Sequence, residues 1–174
     1  MKALVLGVAG AMAAACVATP AYAGAIGSDA AACEEGGPAI LVNVTGLKDR
    51  TGRLKLELYP ATDADFLKDD RDLIAQGKFF RRVWAEMPKS GPVEICIKVP
   101  KPGNYALFFT HDRDGKNKFN FWVDGAGLPS NHKIGMSRPK LAYAVVEAGS
   151  GVTVTHIQAQ YLRSILSGFG PLKS

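Results

Sequence analysis

The feature of this sequence that most constrains its fold is a strict two-residue alternation of apolar and polar side chains. In residues 53–58, RLKLEL, every second residue is leucine, and in residues 93–98, VEICIK, every second residue is valine or isoleucine. Successive side chains of an extended strand point to opposite faces of a sheet, so this period predicts β-strands with one apolar face. In residues 53–58 the charged side chains are expected on the solvent side.

Further segments have the same character and are separated by turn residues. The run 104–111 is apolar on both faces in its middle, which predicts a central strand covered on both sides. A shorter run, 118–123, also fits a strand. The other predicted strands are residues 39–45, 79–87, 140–148 and 151–159.

Turn and loop signals connect these segments. Residues 47–52, LKDRTG, predict a turn that joins strands 39–45 and 53–59 as a hairpin. Residues 61–77 break the alternation and predict a short helix or an ordered loop, capped by Thr62 or Asp63. Residues 124–139 contain three glycines and two prolines and predict a long loop.

About seven strands, one short helical insertion and no strand–helix–strand rhythm predict an all-β domain. The expected architecture is an antiparallel β-sandwich of immunoglobulin or transthyretin-like style, which we assign to residues 39–160. Residues 24–38 are small and glycine-rich and predict an N-terminal arm. Residues 161–174 predict a C-terminal tail or a frayed helix.

The N-terminal residues 1–23 have the features of a secretory signal peptide: Lys2, a short apolar stretch and an Ala-Tyr-Ala cleavage box. We expect cleavage after Ala23 and a periplasmic or secreted mature chain. A membrane anchor is the alternative, as is a lipoprotein anchor at Cys16, although the residues before Cys16 lack the usual leucine. No later stretch approaches the roughly 18 apolar residues of a transmembrane helix, so no transmembrane segment is expected after cleavage.

Cys33 and Cys96 are the cysteines left once the signal peptide is removed. Two cysteines in an oxidising compartment usually pair, and no C-x-x-C spacing indicates a metal or redox site. We therefore predict a Cys33–Cys96 disulfide that ties the N-terminal arm to the strand at 93–99. Two free thiols in a reactive or metal-binding role are the alternative.

The formal net charge of +5 is modest. Lysine and arginine alternate with aspartate and glutamate along most segments, so no basic stripe for nucleic acid is indicated. This pattern argues against nucleic acid as a partner and leaves an unidentified envelope or extracellular partner.

The apolar run at 104–111 ends abruptly in the polar sequence HDRDGKN. A polar loop at a strand end is a usual place for ligand or partner contacts. The candidate functional side chains at this end of the sandwich are His111, Asp112, Asp114, Asn117, Asp124 and His132.

Several chemistries compete for this loop. A calcium loop of the EF type places oxygens at Asp112 and Asp114 when Gly115 is aligned with its glycine, but the remaining positions fit only in part. A zinc or copper site would combine His111 with an aspartate and His132, without the usual histidine spacing. A polar turn with no ion is the simplest alternative. A hydrolase is disfavoured because the chain lacks a G-x-S-x-G elbow.

Three aromatic residues, Phe119, Phe121 and Trp122, follow the polar loop. Aromatic side chains beside aspartate, asparagine and lysine suit contacts with a sugar or a peptide. The alternative is that they cover the open end of the core.

Four segments in this order resemble the bacterial exported domain-of-unknown-function family 2141. They are LVNVTGLKDRTGRLKLELY, VPKPGNYALFFTHDRDGKNKF, GLPSN and RPKLAYAVV, and the resemblance extends over roughly residues 40–158. It implies a periplasmic or secreted β-sandwich and no known activity. The loop departs from the family pattern, because Gly115 comes early and Lys116 is inserted among the oxygen-bearing residues.

The sequence thus predicts an exported β-sandwich that is most consistent with a non-enzymatic binding or structural module. The loops at one end would carry the function, with His111, Asp112 and Asp114 orienting them through hydrogen bonds and ion pairs. The alternative is a metal-binding envelope protein that uses Ca²⁺, Zn²⁺ or Cu²⁺ at the same loop. Apart from such an ion, no cofactor is expected.

Overall fold

A computed structural model of the chain describes Tyr22 and residues 24–172. The predicted signal peptide, residues 1–23, lies outside these residues except for Tyr22. Within the described part, no helix has the length and apolarity needed to cross a membrane.

The described residues form ten strands, two short α-helices and a single 3-10 turn at Leu141–Tyr143. The helices are α1 (Ala30–Glu34) and α2 (Asp70–Ala75). The strands are β1 (Ala39–Thr45), β2 (Arg53–Pro60), β3 (Arg81–Glu86), β4 (Val93–Lys98), β5 (Gly103–Asp112), β6 (Gly125–Gly127), β7 (Val145–Ala148), β8 (Val152–Gln158), β9 (Gln160–Ser164) and β10 (Gly168–Pro171).

These strands build two sheets that pack face to face, which confirms the predicted all-β sandwich. One sheet has the order β4-β1-β8, and the other has the order β10-β9-β6-β5-β2-β3 with β7 also paired to β5. Among these ten strands, all pairings are antiparallel except that of β1 with β8. The core between the sheets is formed by the inward apolar side chains of both, among them Ile40, Val42, Leu54, Leu56, Leu58, Ile95, Ile97, Leu107 and Phe109.

The predicted hairpin of β1 and β2 is wrong. β1 pairs with β4 and β8 in the smaller sheet, whereas β2 pairs with β3 and β5 in the larger one. Both strands have an inward apolar face, and residues 46–52 are long enough to carry the chain from one sheet to the other. Alternation indicates which face is buried but does not identify the partner strand.

A second layer covers the outer face of the larger sheet. Phe66 and Leu73, from the segment between β2 and β3, and Leu128 pack there against Tyr59 and Ala106. The central strand β5 is therefore covered on both faces, as predicted.

The charged side chains of β2 were expected to face solvent, and the structure corrects this. Lys55 and Glu57 retain only 8% and 5% of their accessible surface, because side chains from other loops, among them Leu67, Phe119 and Arg138, gather around them on that face.

Helix α2 lies within the predicted helical insertion but begins later than the proposed caps. Its N-cap is Asp69, whose carboxylate accepts a hydrogen bond from the backbone N–H of Arg71 at 3.0 Å. The Thr62 hydroxyl instead donates to Asp65 at 2.8 Å, within the preceding turn. Thr62 and Asp63 are therefore not the capping residues.

Two predictions for the chain between β5 and β7 are also wrong. Residues 118–123 form turns rather than a strand, because the carbonyl oxygen of Asn120 accepts from the N–H groups of Val123 and Asp124. The expected loop 124–139 contains strand β6. The glycines of this segment suggest a loop, but in the structure they allow close packing. A Cβ on Gly125 would overlap the ring of Tyr161.

Most of the predicted C-terminal tail is a hairpin of β9 and β10. It extends the larger sheet, since β9 pairs with β6 through Gln160 and Ala126. Tyr161 and Phe169 anchor the hairpin and are 3% and 2% exposed. Two buried aromatic side chains give the segment the apolar contacts that a free tail lacks.

The Cys33–Cys96 disulfide is present, as predicted, and joins α1 to β4. Both cysteines are fully buried, and their Cα atoms are 6.1 Å apart. The bond packs with Ala39 and Leu41 in a small apolar cluster on the far side of the smaller sheet.

Removing this bond should destabilise the fold. The cysteines are 63 positions apart, and in the chain-entropy model closing such a loop contributes roughly 4 kcal/mol. The double variant Cys33→Ser with Cys96→Ser should show that loss in urea unfolding, and the wild type under reducing conditions should match it. Equal free energies of unfolding for the oxidised wild type and the double variant would contradict the assignment.

Candidate functional site

His111 lies at the end of β5 and is fully buried. Its Nδ1 is 2.7 Å from the Tyr161 hydroxyl, and its Nε2 is 2.8 Å from the carbonyl oxygen of Thr51. A carbonyl only accepts, so Nε2 carries the proton and Nδ1 accepts from Tyr161. The Tyr161 oxygen in turn accepts from the backbone N–H of Lys48 at 3.0 Å. Both ring nitrogens are thus used within the protein.

Burial determines the protonation of this pair. Desolvation lowers the pKa of His111, against the raising effect of its hydrogen bond to the Thr51 carbonyl. Burial also raises the pKa of Tyr161 to about 12. His111 is therefore a neutral hydrogen-bonding link between β5, β9 and the β1–β2 connection.

Asp112 follows His111 and points to the other face of β5. Its Oδ2 accepts from Arg53 Nε at 2.9 Å and from the backbone N–H of Asn117 at 3.2 Å. Its side chain is only 3% exposed, yet Oδ1 has no hydrogen-bond partner. Within the described residues, it is the one buried side-chain nitrogen or oxygen without such a partner.

Asp124 lies at the end of the loop that begins after Asp112. The residue is 1% exposed, and its two oxygens accept from the backbone N–H groups of Arg113 at 2.9 Å and Asn120 at 2.7 Å. These bonds bring both ends of the loop together although Asp112 and Asp124 are separated in sequence. Among the described residues, Asp124 has no ion-pair partner.

Asp114 lies between them and is held less tightly. Its Oδ2 accepts from Asn120 Nδ2 at 3.0 Å, and its Oδ1 accepts from the N–H of Lys116 at 3.1 Å. The bond from Asn120 is the main cause of the lowered pKa of Asp114. One carboxylate oxygen from each of Asp112, Asp114 and Asp124 lies within 4.8 Å of the others, and we call these residues the acidic cluster.

Arg113 links the same loop to the connection between β1 and β2. Its guanidinium forms an ion pair with Asp49 and donates to the carbonyl oxygen of Val123 at 2.9 Å. Hydrogen bonding from Arg113 holds the pKa of Asp49 well below its usual range. Two neighbouring loops are thereby linked at one end of the sandwich.

Beside the acidic cluster, a pocket of about 390 Å³ opens over the outer face of the larger sheet. Its walls come from the loop after β5, from residues 134–139 and from β10. We call it the aromatic pocket after its main lining side chains, Phe108, Phe119, Phe121 and Phe169. The rings of Phe119 and Phe121 lie 5.8 Å and 5.0 Å from that of Phe169.

Charged side chains of β2 line the same pocket. Lys55 Nζ is 3.3 Å from Glu57 Oε2 and 5.5 Å from the centroid of the Trp84 ring. Arg82 Nη2 is 2.7 Å from Glu57 Oε1 and thus holds the other oxygen of that carboxylate. The pocket therefore combines apolar walls with one ammonium group.

The remaining candidate residues are placed differently. Asn117 is exposed, adopts a positive φ of 58° and contributes its backbone N–H to Asp112. His132 is exposed and stacks on Tyr143 at 3.7 Å. Within the described residues, no group of three metal-competent side chains includes a histidine.

The sequence pattern does not predict the roles of four side chains in this arrangement. Lys55 and Glu57 read as ordinary surface charges, and Phe169 lay in a segment expected to be a tail. Tyr161, the partner of His111, is 50 positions away in sequence. The signal available in the sequence was the presence of two aromatic residues, Tyr161 and Phe169, in this C-terminal segment.

The fold and the loop contacts define a β-sandwich with a polar cluster and an apolar pocket at one end. The sequence model of the domain-of-unknown-function family 2141, described as an uncharacterized protein conserved in bacteria, matches residues 42–156. Because the match covers more than half of the 174 residues, the chain belongs to this family. The chain has no match among curated proteins or among solved structures.

The matched residues include the acidic cluster but end before β9 and β10. The C-terminal hairpin, which supplies Tyr161 and Phe169, lies beyond them. The aromatic pocket is therefore lined both by Phe169, which lies beyond the matched residues, and by residues within the match such as Phe108.

The fold should require glycine at position 52, where the backbone closely approaches β5. Gly52 has a φ of +68°, and a Cβ there would overlap the carbonyl oxygen of Asp112. Gly77 has a φ of +66° but no atom within 4 Å of such a Cβ, which makes it a matched control for backbone strain. In urea unfolding we expect Gly77→Ala to cost about 1 kcal/mol and Gly52→Ala about 3 kcal/mol or more. Equal losses would contradict the packing account.

Stability should fall as the solution becomes mildly acidic. The folded state lowers the pKa of His111 below its ordinary value of 6.5, so the unfolded chain binds a proton first. The stabilisation that comes from keeping His111 neutral is complete above pH 6.5. It is lost as the pH falls towards the folded-state pKa, and the free energy of unfolding then drops by up to about 1.4 kcal/mol per pH unit. Chemical unfolding between about pH 7.5 and 5.5 measures it. His132→Gln, which changes an exposed histidine, should keep the slope, and a flat wild-type profile would contradict the prediction.

Proposed function

We propose that this protein is an exported, non-enzymatic binding module that takes an amphipathic small molecule into the aromatic pocket. The observation that carries the proposal is the pocket itself, with a volume of about 390 Å³ and a mainly apolar lining. Small-molecule sites are concave, mostly apolar, and commonly between about 300 and 1,000 Å³ in volume. The partner proposed here is therefore a small molecule in the envelope or outside the cell.

The arrangement of aromatic side chains favours a ligand with an apolar body. Phe119 is 41% exposed although it belongs to a cluster with Phe169, and its ring lines the pocket. When a ligand removes exposed aromatic surface from water in a concave site, the free energy of binding becomes more favourable. The neighbouring Met136, also in the lining, is 52% exposed and adds a flexible apolar contact at the rim.

The single ammonium group favours a ligand with an anionic or hydrogen-bond-accepting end. Lys55 has three N–H donors, and its one ion-pair partner among the described residues is Glu57, at 3.3 Å. Glu57 is also held by Arg82, so its charge remains compensated if Lys55 turns towards a ligand. An acceptor group would then meet a positive charge in a partly dehydrated site.

The state of the ionisable side chains in the lining supports binding rather than catalysis. Glu57 is paired with both Lys55 and Arg82, and the Arg138 guanidinium donates to the carbonyl oxygen of Phe66. A general base needs a lone pair that is free to accept a proton from a substrate. The Glu57 carboxylate is instead committed to two cations.

Export is part of the proposal and rests on two observations. The first 23 residues have the composition of a signal peptide. The Cys33–Cys96 disulfide is typical of proteins in an oxidising compartment. Both observations support a periplasmic or secreted location.

An anionic aromatic probe tests the pocket directly. Anilinonaphthalene sulfonate should bind the folded chain spanning residues 24–174 with enhanced fluorescence, and Phe119→Ala should weaken binding about tenfold, which corresponds to one aromatic contact. Leu166→Ala, at a residue 97% exposed and outside the pocket, is the matched control. Equal affinities of the two variants, or no binding to the wild type, would contradict the proposal.

The role of Lys55 has its own test. Lys55→Met keeps an unbranched apolar side chain but removes the charge. We expect it to weaken binding of anilinonaphthalene sulfonate about tenfold and to leave binding of neutral aminoanthracene unchanged. Parallel losses for both probes would show that Lys55 acts through pocket shape, which would overturn the proposed anionic end of the ligand.

A further inference from the structure

The acidic cluster has a property that its own hydrogen bonds do not explain. Asp112 is 2% exposed and Asp124 is 1% exposed, yet one oxygen from each, and one from Asp114, lie within 4.8 Å of one another. Carboxylates at such distances repel, and burial strengthens the repulsion because little water screens it. A structure that holds three of them together needs a compensating positive charge.

The cationic side chains nearby supply only part of that charge. Arg53 donates to Asp112 Oδ2 and, through Nη2, to the carbonyl oxygen of Gly115 at 3.1 Å. Lys116 Nζ is 3.4 Å from Asp114, but its side chain is 73% exposed, so this ion pair is weak and easily opened. Asp124 is bound by two backbone N–H groups and, within the described residues, by no cationic side chain.

The unpartnered oxygen shows where a further positive charge belongs. Asp112 Oδ2 is occupied by Arg53 and Asn117, whereas Oδ1 is buried and has no hydrogen-bond partner. An ionised oxygen without a partner in a buried site is costly unless a cation or a donor binds it. Because the Asp112 carboxylate belongs to the acidic cluster, Oδ1 is the oxygen left for that cation.

We propose that the acidic cluster is a binding site for a calcium ion. The available ligands are all carboxylate oxygens, which suit a hard divalent cation. His111 has no free ring nitrogen, and both Cys33 and Cys96 are in the disulfide, so the soft ligands preferred by zinc and copper are lacking among these side chains. Ca²⁺ tolerates irregular coordination and completes its shell with water, which fits three carboxylates on one irregular loop better than the strict octahedron of Mg²⁺.

The hydrogen bonds already present orient the carboxylates for such an ion. Asp124 is fixed by two backbone N–H groups, and Asp114 is fixed by Asn120 and Lys116. Each of these oxygens retains a lone pair after accepting one hydrogen bond, so the bonds position ligands without using them up. The ion would also fix residues 113–124, the loop that carries Phe119 and Phe121, but the site does not depend on the pocket having a ligand.

Thermal unfolding in EDTA and in Ca²⁺ tests this proposal. Ca²⁺ should raise the Tm of the chain spanning residues 24–174 by about 5 °C or more at a hundredfold excess over its dissociation constant. A titration to about 10 mM covers the weak affinities of extracellular calcium modules. Asp112→Asn should lose the rise. Because that variant alters a buried residue, Asp114→Asn, at a side chain 15% exposed, provides a second test.

The expected signature is that the Tm difference between Asp114→Asn and the wild type changes sign between EDTA and Ca²⁺. In EDTA, Asp114→Asn removes one of three repelling charges, so its Tm should equal or exceed that of the wild type. In Ca²⁺ its Tm should lie below the wild type, because a ligand has been lost. The control Asp63→Asn makes the same charge change at an exposed residue outside the cluster and should keep the full rise.

Two results would overturn the calcium site. One is an unchanged wild-type Tm throughout the Ca²⁺ titration. The other is a rise that Asp114→Asn and Asp124→Asn both retain, which would place the ion elsewhere. Neither experiment uses a pocket probe, so failure here leaves the fluorescence assay as an independent test of the proposed function.

Discussion

The burial of β5 on both faces is the constraint on which the rest of the structure depends. The strand pairs with β2 along its length and with β6 and β7 on its other edge, and it lies between the smaller sheet and the outer layer. A shift of register by one residue would exchange the two faces and move His111 out of its buried network. The same register that fixes the core therefore sets the direction of His111 and Asp112 at the strand's end.

The geometry of the two proposed sites depends on that fixed strand end. His111 binds inward to Tyr161 and Thr51, and Asp112 binds outward to Arg53 and Asn117. The loop that leaves β5 returns through backbone hydrogen bonds to Asp124, so it is polar on the side of the acidic cluster and aromatic on the side of the pocket. The proposed calcium site and the proposed ligand pocket are compatible on one loop because these two surfaces use different side chains.

The sequence predicts the parts of this arrangement that depend on local pattern. The two-residue alternation identifies β2 and β4, the apolar run identifies β5 as central, and the compartment argument identifies the Cys33–Cys96 pair. It does not predict which strands pair, because β1 and β2 have equally suitable apolar faces for either sheet. It also misses the burial of Lys55, since the side chains around it, such as Phe119 and Arg138, come from loops distant in sequence. Asp112 and Asp114 are visible as candidates, but their contact with Asp124 depends on how the loop closes.

The central claim is that an amphipathic molecule binds in the aromatic pocket. Its most direct test is a ¹H–¹⁵N correlation spectrum of the chain spanning residues 24–174, titrated with decanoate in Ca²⁺ and in EDTA. We expect saturable shifts of the amides of Phe108, Phe119, Gly135 and Phe169, all in the pocket lining. The amides of the exposed residues Ile165 and Leu166 should remain unchanged. Shifts confined to the exposed hairpin tip, or no saturable shifts at all, would contradict this claim.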